Sequence, residues 1–329
     1  MAILVLLASV LATLIPTLIF ASTLRWIDRY EREPTPLVIA AFLWGATPAV
    51  IIAAVSEIIA DVPLGLFNLS AAKLISSSAI APVIEELAKG IFVFAVYWFF
   101  QREFDDPIDG IVYGALVGFG FALTENVFYF LGAWVAGGWG QWTVLVVLRA
   151  FLFGMNHAFF TSLTGLGLGL ARVTAPFFAR VIFALAGLGA AILFHSIHNL
   201  GASLAATNML TLGVSALSDW GGVLIVFIII VIGWAFEKRW VTEELQEEIE
   251  TGLIDVREYA LARSYRARLG ARLGAWARGD WRAAQRTGRL AQLLAELAFK
   301  KYQMRQRGQD YTSQIRALRT EIALARGGS

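Results

Sequence analysis

Between residues 2 and 236 the chain repeatedly runs for a helix length or more with almost no charge, and this limits its fold more than any motif does. A hydrocarbon core ~30 Å thick is crossed by about 20 apolar residues in a helix. Seven spans are predicted, at roughly 2–22, 36–60, 73–100, 108–131, 143–171, 178–205 and 218–236. The expected fold class is therefore all-α, a polytopic transmembrane bundle. Composition agrees: charged residues are 16% of the chain and apolar types 58%, against ~25% charged in ordinary soluble domains. The third and fifth spans are long, and breaks are expected at Pro82 and among the glycines between residues 165 and 169.

Charge placement divides the chain. Of 27 Lys and Arg, nine precede residue 237 and eighteen follow it. Residues 1–237 read as a membrane domain and 238–329 as a helical cytoplasmic tail. The tail opens on Glu243, Glu244, Glu247, Glu248 and Glu250. Leu290, Leu293, Leu294, Leu297 and Phe299 then recur at roughly helical spacing, and Gly252, Gly270, Gly274, Gly279, Gly288 and Gly308 are expected to punctuate short amphipathic helices. Its mild basic excess suits anionic lipid headgroups; no motif supports nucleic acid binding. Residues 1–24 hold no Lys or Arg, and Arg25 follows the apolar run, so this segment reads as a first span and not as a cleavable signal. Arg25, Arg29 and Arg32, then Arg102, then Arg172 and Arg180 fall in alternate loops, which predicts N-terminus out and C-terminus in.

A charge at bilayer depth costs at least a few kcal/mol and asks for a partner or a function. Glu85, Glu86, Glu125, His157 and His195 stand out, and all three histidines, His198 included, lie in predicted spans. Lys89 follows Glu85 by four and Glu86 by three, within ion-pair reach on a helix. His195 and Asn199 share a helix face. Counting inward at ~1.5 Å per residue puts Glu86, His157, His195 and Glu125 about 20, 21, 15 and 9 Å below the outer surface, compatible with one pocket.

Imidazole and carboxylate suit zinc, whose catalytic sites take three protein ligands and water. The metal lowers the water's pKa and a nearby Glu accepts its proton. In this reading His157 and His195, with one or two of Glu85, Glu86 and Glu125, hold Zn2+. A remaining Glu is the base, and Asn199 donates to the developing oxyanion. With no cysteine in the chain, thiolate sites are excluded, and no HExxH run is present. A proton-coupled transporter and a non-catalytic membrane scaffold are the alternative readings of the same polar residues.

The motifs also resemble a known family. Asp28-Arg-Tyr-Glu-Arg-Glu-Pro34 looks like the juxtamembrane signature of the PrsW family of intramembrane metalloproteases, and Glu85-Glu86-x-x-Lys89 resembles its first catalytic motif. Asp109-Gly-Ile-Val-Tyr-Gly with Gly118-Phe-Gly-Phe-Ala-Leu-Thr-Glu125-Asn126 resembles the second. Arg149 with His157-Ala-Phe-Phe-Thr161 looks like the third, and His195-x-x-x-Asn199 like the last. The resemblance covers about residues 20–236. Glu125 stands where the related CAAX prenyl proteases have a His. The resemblance implies proteolysis of a membrane-anchored substrate in a bacterial cytoplasmic membrane, where an anti-sigma factor can be the target. Glu85, Glu86, Glu125 and Asn199 would be catalytic, and His157, His195, Glu86 and Glu125 would bind metal.

Overall fold

The computed structural model describes residues 1–27, 33–64, 69–307 and 310–327, and every regular element among them is helical. In chain order these are α1 (Ala2–Ile27), α2 (Thr35–Trp44), α3 (Val50–Leu64), α4 (Leu69–Ile75), α5 (Ala81–Phe99), α6 (Pro107–Val146), α7 (Asn156–Val173), α8 (Phe177–Leu204) and α9 (Met209–Glu244). Then come α10 (Gln246–Glu250), α11 (Val256–Arg263), α12 (Tyr265–Ala277), α13 (Trp281–Arg307) and α14 (Thr312–Gly327). Five helical stretches among the described residues are long and apolar enough to cross a membrane: Ala2–Leu24, Thr35–Val62, Pro107–Val173, Phe177–Leu204 and Met209–Glu250. Two compact units result, one reaching Ile228 and the other running from Ile229 on.

In the first unit, α6 and α7 form the frame of the site. Asp106 caps α6 by accepting from the Ile108 and Asp109 amides, while Asp109 accepts from those of Asp105 and Asp106. The two aspartates and Pro107 thus fix where the helix begins. The stretch Pro107–Val173 is 67 residues long but is no single rod. Gly138 adopts φ 65°, a left-handed conformation that glycine alone takes without cost, and the chain doubles back there. Gly110 then faces Gly165, Gly114 faces Thr161, and Gly118 faces His157, the order of an antiparallel pair. The approach is backbone on backbone. A Cβ on Gly165 would lie 1.7 Å from the Gly110 carbonyl oxygen, so small residues are what lets these helices touch. α8 returns antiparallel to α7, with Phe194 on Phe159 and His198 on Phe153.

Among the described residues three π-helical segments interrupt the bundle: Gly45–Ala49, Ser76–Ile80 and Val147–Leu152. Each frees carbonyls from the regular ladder, and such bulges collect near functional sites. The break expected at Pro82 falls beside Ser76–Ile80. The break expected at residues 165–169 is corrected: α7 is unbroken, its glycines serve close packing, and the fifth predicted span is interrupted earlier, at Val147–Leu152 and residues 153–155.

The second unit packs α11, α13 and α14 around Leu294, Leu297, Ile315, Leu318 and Ile322, with Val241, Leu245 and Ile254, and α12 lies against α13. Glu248 is buried and accepts from Lys301 at 2.8 Å and Arg319 at 2.6 Å. Leu290, Leu293, Leu294 and Leu297 of the predicted stripe lie on α13 and supply that core, while Phe299 packs on Trp240. Gly252 and Gly279 sit in turns with φ 75° and 74°. Gly270, Gly274 and Gly288, expected to punctuate, instead lie inside α12 and α13; Gly308 is outside the described residues.

Candidate metal centre

The site begins at α5. Adjacent carboxylates on a helix point ~100° apart, yet Glu85 and Glu86 both reach Lys89. The Lys89 Nζ lies 2.6 Å from Glu86 Oε1, 3.3 Å from Glu85 Oε2 and 3.2 Å from His157 Nδ1. It also sits 4.1 Å above the Phe121 ring. The side chain is fully buried. An ammonium has three N–H groups and no acceptor capacity, and here all three are used.

That count fixes a tautomer. Because Lys89 can only donate, His157 Nδ1 must present its lone pair. The ring proton is then on Nε2 and is donated to Glu125 Oε2 at 2.7 Å. Arg149 holds the same carboxylate oxygen through Nη2 at 2.7 Å and binds Asn126 Oδ1 through Nε at 2.7 Å. His195 is arranged in the same sense. Its Nδ1 donates to Glu86 Oε1 at 3.0 Å, leaving Nε2 directed at Glu85 Oε2, 3.7 Å away. Thr161 donates to Glu86 Oε2 at 2.9 Å. The two imidazoles stand perpendicular, with ring centres 5.0 Å apart.

Glu85, His157 and His195 therefore form one buried group, with one donor atom from each lying within 4.8 Å of the others. Two imidazoles and a carboxylate are a donor set of catalytic zinc. Each imidazole also has its second nitrogen bonded to a carboxylate, the arrangement that orients histidine ligands. Three carboxylates stand against one ammonium and one guanidinium, so the cluster is negative with neutral imidazoles, and a divalent cation suits it. On donor chemistry, ring orientation and charge, the residues fit a bound zinc ion.

The sequence-derived residues do not all occupy equivalent places. Glu86 and Glu125 each carry an imidazole and a cation, whereas among the described residues Glu85 accepts from Lys89 alone, at the longer distance. Asn199 donates to the Ser77 carbonyl at 2.9 Å, in the π segment before α5. Of the juxtamembrane run, residues 28–32 lie outside the described residues; Glu33 is buried and accepts from the Tyr113 hydroxyl of the second motif. Sequence reasoning passed over Asp219, which receives the His198 Nδ1 proton at 2.7 Å. Its signal was available, an acid beside an apolar run, but it sits near the end of a predicted span, where acids are common.

Fold and site together define a polytopic helical membrane protein with an internal centre of imidazoles and carboxylates able to hold a divalent metal. The chain belongs to the PrsW family of intramembrane metalloproteases, whose family model matches residues 33–236. It is 35% identical over 147 residues to Protease PrsW of Geobacillus kaustophilus (strain HTA426), covering 44% of this chain and 58% of that protein. It is 30% identical over 148 residues to Protease PrsW of Bacillus subtilis (strain 168), covering 45% and 62%. To Protease PrsW of Clostridioides difficile (strain 630) it is 31% identical over 119 residues, covering 36% and 49%. The chain thus spans about half to three-fifths of the length of these curated relatives. No solved structure matches it.

Proposed function

We propose that this chain is a zinc-dependent intramembrane endopeptidase that hydrolyses peptide bonds of membrane-anchored proteins, regulatory ones among them. The observation that carries the reading is the convergence of Glu85, His157 and His195, with one donor atom from each within 4.8 Å of the others and with His157 Nδ1 and His195 Nε2 at 4.0 and 3.7 Å from Glu85 Oε2. When bound there, zinc would polarise the scissile carbonyl and acidify water. The chain's own residues do the rest. Glu86 and Glu125 hold the two rings in their tautomers. Glu85, the carboxylate with the lightest hydrogen-bond load, either completes the donor set or takes the proton of the attacking water. Asn199, one helical turn beyond His195, has a second amide N–H for the developing oxyanion.

The membrane reading belongs to the same proposal. Seven crossings are supported by the doubling back of Pro107–Val173 at Gly138 and by α5, an apolar helix whose Lys89 pairs with both Glu85 and Glu86. The alternating arginine loops support an N-terminus outside and residues 238–329 in the cytoplasm, beyond a catalytic domain ending near 237. The bacterial relatives point to a bacterial cytoplasmic membrane.

Zinc content and cleavage of a membrane-anchored reporter, measured on the purified protein, test the reading. Near one equivalent of zinc, lost in a His157→Ala/His195→Ala double variant together with cleavage, is expected. Glu85→Gln then assigns its role: zinc lost with activity makes it a ligand, zinc kept with activity lost makes it the base. Reconstituted ion or proton transport without cleavage would favour a transporter, and neither metal nor cleavage a scaffold.

A further inference from the structure

His198 takes no part in the cluster, yet it is buried and all its bonds are directional. The direction follows from one group that cannot change. The His157 backbone N–H donates to Asn156 Oδ1 at 2.7 Å, so the Asn156 amide must turn its Nδ2 outward, to His198 Nε2 at 3.2 Å. That nitrogen therefore accepts, and the ring proton resides on Nδ1, which donates to Asp219 Oδ2 at 2.7 Å. Asp219 is buried, and its other oxygen has no partner among the described residues. Among the described residues its single bond is the one to His198.

The chain of bonds ends where α7 begins. The first amides of a helix have no partner within it, and residues 153–155 break the chain just before Asn156. In a membrane interior no water replaces the missing acceptor, so the Asn156 side chain supplies it to the residue that presents an imidazole to the centre. α9 grips the same place twice more. Trp220 Nε1 donates to the Leu152 carbonyl at 2.9 Å, and the Phe159 ring fills the space a Cβ on Gly222 would need.

We propose that His198 and Asp219 are positioning residues for His157, acting through Asn156, so that α9 sets how α7 presents its ligand. This rests on the reading that His157 binds the ion. A simple helix-to-helix fastener would need only the His198–Asp219 bond; the bond to Asn156 is what reaches the site.

Two variants of His198 separate these roles. Gln places its terminal oxygen where Nε2 was and keeps the acceptor for Asn156 while losing Asp219. Asn places its amide where Nδ1 was and does the opposite. Zn2+ affinity of the full-length protein in detergent, by chelator competition, should stay near wild type in His198→Gln and fall about 10- to 100-fold in His198→Asn. The visible spectrum of bound Co2+ should change only in the second. A fastener predicts the reverse order. If His198→Asn does not accumulate, Asp219 serves. Asp219→Asn keeps an acceptor for Nδ1–H and should bind as wild type, whereas Asp219→Leu lets the proton move to Nε2, so that donor meets donor, and should lose about tenfold or more. Unchanged Zn2+ affinity and Co2+ spectra in His198→Asn and Asp219→Leu overturn the inference. A wild-type protein that binds neither metal overturns the proposed function instead.

Discussion

Gly118→Ala tests whether the centre is built by the α6–α7 backbone contact. A Cβ at Gly118 would stand 2.3 Å from the His157 carbonyl oxygen, and ordinary contact begins at 3.4 Å. Neither partner is a side chain that can swing aside, so the helices must separate by about 1 Å. Overpacking of this kind costs ~1–3 kcal/mol, and the displaced residue is His157 itself. A misplacement of ~1 Å costs about 100-fold in a positioned reaction. Gly132→Ala, on the same helix with nothing within 4 Å of the new methyl, is the control, neutral to ~1 kcal/mol stabilising from helix propensity. Thermal unfolding in detergent, followed by tryptophan fluorescence, and reporter cleavage should both fall in Gly118→Ala and hold in Gly132→Ala. Equal behaviour of the two variants would refute the reasoning.

The other expectations concern charge and core. Lys89→Met strands two carboxylates in a dry site and should cost ~3–5 kcal/mol; adding Glu86→Gln should recover part of that loss, a non-additivity visible in a double-mutant cycle of unfolding midpoints. Arg149→Met leaves Glu125 with His157 alone; because the pair is about one-fifth exposed, a smaller loss of ~1–2 kcal/mol is expected, with weaker zinc binding by chelator competition. Zinc at 100 times its dissociation constant should stabilise the wild type by ~2.7 kcal/mol, a shift that the His157→Ala/His195→Ala variant should not show. In the second unit Leu294→Ala, at a fully buried position, should cost ~2–5 kcal/mol, read as earlier unfolding of that unit by hydrogen exchange.

The sequence made the helical class and the polar residues legible for a simple reason: a lone Glu or His in an apolar run has no local excuse. Lys89 was readable too, since i,i+3 and i,i+4 spacing is local geometry. The division of labour among Glu85, Glu86 and Glu125 was not. It depends on which carboxylate meets Thr161, Arg149 or an imidazole from another helix, and no local pattern encodes that. The glycines at 165–169 read as a break because the same residue serves flexibility and contact, and only the partner helix decides between them. Asp219 went unnoticed because its meaning lies in His198, twenty-one residues away.

Lys89 has one more consequence. Its ammonium offsets one of the two carboxylate charges of α5 and touches two of the three donors proposed for the ion, Glu85 and His157, so the centre carries a cation of its own. Folding and insertion can proceed without trapping naked anions in lipid. A divalent ion entering the same centre would meet donors already gathered around a positive charge.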